Sequence, residues 1–293
     1  MTSAACSELA RPEPLAGSAP FARGWLVVEH PTAWGRDALR DSGIAPSVVS
    51  HVAAAEDRAG LRFLAARRID GDRRERSEST RRRVWLAWCE PAHREFRTIT
   101  VESLEQILEW NLDRLPDGDF PPESEMVTST MEFICSHSKR DACCAIAGRA
   151  RAASVPPSLH DVVWECSHLG GHRFAATSLF LPSGRLYGRL ANYADDADAI
   201  VSEPLPSALR GPSYLPENLQ AAECAVRVDA DLPATEILDV APFSEPDVIE
   251  VTASGGDHWL VVCEPDTFSS PASCGAEEKV RTIWRTRIIE RRT

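Results

Sequence analysis

The chain has 293 residues, a net charge of −12, 43% hydrophobic and 26% charged residues, the balance of a soluble globular protein with room for two packed domains. So acidic a surface repels nucleic-acid phosphates and anionic lipid, which excludes both as general partners. No stretch approaches the roughly 20 apolar residues of a membrane helix and the first twenty residues show no export signal, so a cytoplasmic setting is expected, where nine cysteines stay reduced.

Residues 1 to about 22, rich in Ala, Pro and Ser, read as a flexible lead-in. GWLVVEH (24–30) is a compact run of β-formers closed by Pro31 and predicts a strand. Apolar positions at helical spacing follow from Trp34 to about Ala59, interrupted by Pro46. LRFLAARRI (61–69) predicts a second strand, and the charged DGDRRERSESTRRR (70–83) a solvated loop. RVWLAWCE (83–90) and EFRTITV (95–101) predict two strands, LEQILEWNLDRL (104–115) an amphipathic helix, and DGDFPPESE (117–125) a domain boundary. The first domain is therefore expected over 23–120 and the second over 126–293.

The second domain opens with VTSTMEFIC (127–135), a strand that leads straight into SHSKRDACC. A short helix from Ala145 to about Ser154 stops at Pro156-Pro157, and the strand HDVVWEC (160–166) runs into SHLGGH. FAATSLFL (174–181) and RLYGRL (185–190) flank a Pro-Ser-Gly turn and predict a hairpin. YLPENLQAAECAVRV (214–228) predicts a helix, VIEVTA (248–253) and HWLVVCE (258–264) a last hairpin, and TIWRTRIIE (282–290) a further strand. Strands alternating with helices, then a hairpin, describe an α/β fold with a thioredoxin-like mixed sheet flanked by helices. No internal repeat is evident.

Two pairs of soft metal ligands stand on loops at strand ends, where sites collect in open α/β sheets. Cys135 and Cys144 are separated by eight residues; His168 and His172 enclose Leu169-Gly170-Gly171. The paired glycines make a regular helix costly and let the backbone approach a bulky group. Ligand chemistry alone leaves two metal readings: tetrahedral structural zinc, or a [2Fe–2S] cluster with two imidazoles replacing two thiolates on one iron. A third reading needs no metal, with small buried thiols and hydrogen-bonded imidazoles. Cys143 stands beside Cys144, so either residue fits the second thiol position.

CSHSKRDACCAIAGR, followed by VWECSHLGGHRFAATSLFLPSGRLYGRL, resembles the sucrase/ferredoxin-like family, itself related to thioredoxin-like ferredoxins. The resemblance is strongest over 132–192 and extends more loosely to GWLVVEHPTAWG. It implies a [2Fe–2S] cluster with Cys135 and Cys144 on one iron and His168 and His172 on the other, and it favours Cys144 over Cys143. It also implies a one-electron carrier with a redox partner protein, in which electron uptake couples to proton uptake at an imidazole. No glycosidase carboxylate pair accompanies the family's historical label.

The rival to this reading is a zinc-stabilised interaction module. Another is an oxidoreductase in which Cys143 or Cys166 works beside the cluster. Arg140, Asp141 and Ser167 are candidates to hydrogen-bond the centre, against an exposed Arg140–Asp141 ion pair. His137 reads as a solvated loop residue and Cys166 as buried. Cys6, Cys89, Cys224 and Cys263 read as structural without partners, and Cys274 as an exposed bystander. The Arg-rich loop 73–83 reads as a solvated insertion or a dock for an acidic partner, and GRLYGR lacks a phosphate-loop pattern.

Overall fold

The structure, a computed structural model, describes residues 5–69, 80–192, 206–271 and 273–292. A short helix, α1 (Cys6–Leu9), precedes strand β1 (Gly24–Glu29). Strand β1 has no polar face. Trp25 and Val27 enter one apolar cluster, Leu26 and Val28 another, so the sheet is covered on both sides. Helix α2 (Pro46–Ala59) starts on a proline, whose missing N–H has no intrahelical role there, and stops at Gly60 with φ 69°. It buries Val48, Val52 and Ala55 on the second cluster.

Strands β2 (Leu61–Arg68), β3 (Arg82–Trp88), β4 (Glu95–Val101) and β5 (Glu125–Met126) complete the first half of a large mixed sheet. The second half comprises β6 (Met131–Cys135), β7 (Val163–Cys166), β8 (Ser178–Leu181), β9 (Arg185–Tyr187) and β10 (Leu209–Pro212), with helix α3 (Arg149–Ala153) between β6 and β7. The ten strands run β10-β9-β8-β6-β7-β2-β1-β3-β4-β5. Each half repeats one pattern: its first two strands are parallel, and its third, fourth and fifth continue antiparallel from the first. The halves join where β2 and β7 pair antiparallel, with Ala66 opposite Cys166. Across that seam Arg67 Nε donates to Glu165 Oε2 at 2.6 Å with both side chains nearly buried. Trp85 packs edge-on against Trp164, ring centroids 4.7 Å apart.

Helix α4 (Glu217–Asp229) separates this sheet from an antiparallel one of β11 (Leu238–Pro242), β12 (Val248–Ala253), β13 (His258–Pro271) and β14 (Glu278–Arg292). Leu219, Ala222 and Val226 of α4 pack with Trp259 and Val261, while Cys224 packs with Phe180 and Tyr187 of the large sheet. Among the described residues no helix is long and apolar enough to cross a membrane.

The described residues are thus mixed α/β, with two sheets and few helices. Several expectations are corrected. Residues 34–45 form turns rather than helix, because the residue before Pro46 is pushed out of the helical region. The helix expected over 104–115 is two 3₁₀ turns broken at extended Trp110. The described part of the lead-in is packed, with Cys6, Ala10, Glu13 and Ala22 buried. Apart from these corrections, the ten-stranded sheet takes strands from both 23–120 and 126–293. Most of the Arg-rich loop, residues 70–79, lies outside the described residues.

Candidate metal centre

Cys135 ends β6, and its amide donates to the Thr177 carbonyl at 3.0 Å. Cys144 begins a π-helical turn, Cys144–Gly148, that continues into α3. That turn lies against the end of β6 because Gly148 has no side chain: a Cβ there would stand 1.9 Å from the Cys135 carbonyl oxygen. His168 follows β7. Gly170 and Gly171 turn the chain with φ of 80° and 70°, and His172 opens a 3₁₀ turn. The two rings stack with centroids 5.5 Å apart.

His168 Nδ1 lies 3.9 Å from Cys135 Sγ and 3.8 Å from Cys144 Sγ. The donor atoms of these three residues all lie within 4.8 Å of one another. The thiols are buried, whereas His168 is half-buried and the His172 side chain is 15% exposed. The centre therefore has a sulfur floor and an imidazole rim facing solvent. Cys144 hydrogen-bonds Cys135 and holds its thiol well below the usual range against the opposing pull of burial, with His168 assisting. The same bond, then burial, pushes Cys144 well up. A cation entering there displaces thiol protons.

Asp141 stands behind His172, with Oδ2 3.8 Å from Nε2. Burial opposes its ionisation, but the amides of Cys274 and Cys143, with His172 nearby, outweigh burial and hold the carboxyl below its ordinary range. Asp141 thus lies at the centre rather than in the alternative exposed ion pair with Arg140. Ser167 serves the sheet instead of the centre: its hydroxyl accepts from the Ala65 amide at 3.0 Å. His137 is buried rather than solvated; its Nε2 contacts the Gly35 carbonyl at 2.7 Å and its ring packs edge-on against Trp34. Cys166 is buried as expected, opposite Cys135 in the parallel ladder.

Sequence reasoning missed Arg210, a buried residue of β10. Its Nη1 donates to the Gly170 carbonyl at 3.0 Å and its Nε to Ser18 Oγ at 3.2 Å. A Cβ on Gly171 would meet the guanidinium at 2.5 Å. Burial pulls Arg210 down to about 9, while charge on Cys135 and Cys144 acts in the opposite sense. It braces the histidine loop and supplies a buried positive charge beside the thiols. The only trace in the sequence is an arginine inside an otherwise apolar strand.

Cys143 joins a different group. Its Sγ lies 3.4 Å from that of Cys6 and 3.1 Å from that of Cys274. The expectations that Cys6 has no partner and that Cys274 is a bystander are both corrected.

Cys135, Cys144 and His168 on the adjoining loops of one mixed sheet form a candidate thiol–imidazole metal centre in an α/β scaffold, and His172 stacks on His168 without joining that close donor group. The sucrase/ferredoxin-like family profile matches residues 15–211, and the chain belongs to that family. The match covers the whole centre, β1 to most of β10 and the brace Arg210. No curated protein and no solved structure matches the chain.

Proposed function

We propose that the centre binds a [2Fe–2S] cluster through Cys135, Cys144, His168 and His172, and that the protein is a cytoplasmic one-electron carrier. The observation that carries this reading is the buried thiol pair beside His168, whose ring stacks on that of His172. Membership of the family supports it. The donor set fits the group in kind: two cysteines, deprotonated on binding, suit one iron, and the imidazoles suit the other. Each half of the large sheet has the order 2-1-3-4 with the third strand reversed, which supports a thioredoxin-like arrangement for both halves.

When bound, such a cluster supplies a site for one electron that favours the imidazole-ligated iron. The chain's own residues do the rest. His168 presents Nδ1 to the sulfurs, so Nε2 is the atom that holds its proton. His172 directs Nε2 toward Asp141, an acid–imidazole pairing that fixes a ligand ring and reserves Nδ1 for the metal. With iron bound at Nδ1, the outer N–H of His168 could be lost in the oxidised state and would be regained on reduction, which would make the potential depend on pH. A cleft of about 260 Å³ opens beside His168, with four arginines, Arg62 and Arg140 among them, against Asp37 and Glu56. This local positive excess on an acidic protein suits an acidic redox partner.

Zinc at the same residues is favoured by one measurement. Ligands of a single tetrahedral zinc lie about 3.5–3.8 Å apart given its bond lengths, close to the separations of His168 from the two sulfurs. Anaerobic purification with a visible spectrum and assays of iron, acid-labile sulfide and zinc decides between them. A red-brown protein with equal iron and sulfide, bleached by dithionite, is expected. A colourless protein with zinc lost on Cys135→Ser removes the electron-transfer reading. With the cluster present, the potential is expected to fall as pH rises between about 6 and 10; a flat profile removes proton coupling.

A further inference from the structure

Three cysteines far apart in the chain meet at one point beside the first centre. Cys6 comes from α1, Cys143 from the loop after β6, and Cys274 from the turn between β13 and β14. Their sulfurs form a triangle with sides of 3.4, 3.1 and 3.5 Å. Asp141 Oδ1 closes the group, 3.9 Å from Cys6 Sγ and 3.4 Å from Cys274 Sγ. The four donor atoms lie within 4.8 Å of one another. The carboxylate is fixed by the backbone of the cysteines it joins, accepting from the Cys143 amide at 2.7 Å and the Cys274 amide at 3.1 Å.

We propose that Cys6, Cys143, Cys274 and Asp141 form a second, mononuclear metal site that takes zinc. Three soft sulfurs and one carboxylate oxygen suit a tetrahedral zinc ion, whereas magnesium and calcium require oxygen shells. Zinc–sulfur bonds of about 2.3 Å place tetrahedral sulfurs about 3.8 Å apart, so the sides of the triangle open by about 0.3 to 0.7 Å. A disulfide accounts for two sulfurs and leaves the third, with the carboxylate, without a role. Binding sends the thiol protons to solvent.

Cys6 and Cys274 both lie outside the family match at 15–211, so the site joins segments from either side of the family region to the cysteine loop within it. Neighbouring polar contacts follow the same route: Glu13 takes Arg173 at 2.7 Å and the Ser270 hydroxyl at 3.0 Å. The zinc is a structural clasp over the back of the first centre.

The test is elemental analysis of anaerobically purified full-length protein, wild type beside Cys6→Ser and Cys274→Ser. One equivalent of zinc is expected in the wild type, falling at least about tenfold in either variant, with iron and sulfide unchanged. If the first centre holds zinc, the totals become two equivalents and one, so the two readings fail separately. A second measurement avoids mutation: cobalt(II) added to the zinc-stripped wild type gives thiolate charge-transfer and tetrahedral ligand-field bands, and zinc slows alkylation of Cys274. Zinc content unchanged in both variants overturns the site. So does a wild type that takes neither zinc nor cobalt, or one whose intact mass is two hydrogens light.

Discussion

Gly148 permits a contact that any side chain forbids, since its missing Cβ is filled by the Cys135 carbonyl. Gly148→Ala must push the π-helical turn, and with it Cys144, off the end of β6. The expected result is loss of metal from the first centre and about 1–3 kcal/mol of stability, read by iron content and urea unfolding; a variant retaining full iron contradicts this account of the turn. Gly171 and Gly43 make a matched pair, with φ of 70° and 79°, but only Gly171 faces a neighbour, the Arg210 guanidinium. Gly43→Ala is expected to cost about 1 kcal/mol in backbone strain and leave the metal alone. Gly171→Ala is expected to lower metal content as well, because it displaces the brace. Equal metal content in the two variants excludes a role for that brace.

Between β1 and α2 the segment 30–35 covers the cysteine loop, Trp34 against His137 and the Gly35 carbonyl on its Nε2. Burial, then Arg82, lowers the pKa of His30 from its ordinary 6.5. The unfolded chain then binds the proton more readily than the folded one, so stability rises with pH through this window and is lost as pH falls below about 6.5. His30→Gln is expected to flatten that loss, seen in urea unfolding at about pH 5 and about pH 7.5; an unchanged slope assigns the acid sensitivity elsewhere. Strands with unbroken apolar runs, such as β1 and β3, were legible in the sequence, and so were the loops bearing both ligand pairs. The 3₁₀ turns of 104–117 were not, because their apolar spacing copies a helix that Trp110 interrupts by tertiary packing on α2. Neither was the meeting of Cys6 with Cys274, since nothing local signals a contact across 268 positions.

The seam between the sheet halves depends on a nearly buried ion pair. Arg67 and Glu165 are both buried there, and Arg67 also lies 4.3 Å from the Trp34 ring. Glu165→Gln strands a buried cation and is expected to cost about 3–5 kcal/mol, whereas replacing both residues by apolar ones costs much less. A double-mutant cycle in urea measures the difference; a coupling energy near zero removes the pair from the account of the seam. The same row of the sheet explains why no repeat was evident in the sequence. Glu29, Ala66, Cys166 and Cys135 lie side by side across four strands, so matching positions carry Glu29 in one half and Cys135 in the other. Two residues further along, Arg68 matches His168. The halves share a topology and not a ligand set. Two equal units meeting edge to edge are what a symmetric dimer would offer, but here one polypeptide supplies both. Their encounter is intramolecular, so dilution that would separate two subunits leaves this pairing intact. Freed from identity, one half holds the ligands while the other, through Trp34 and Gly35, serves as its roof.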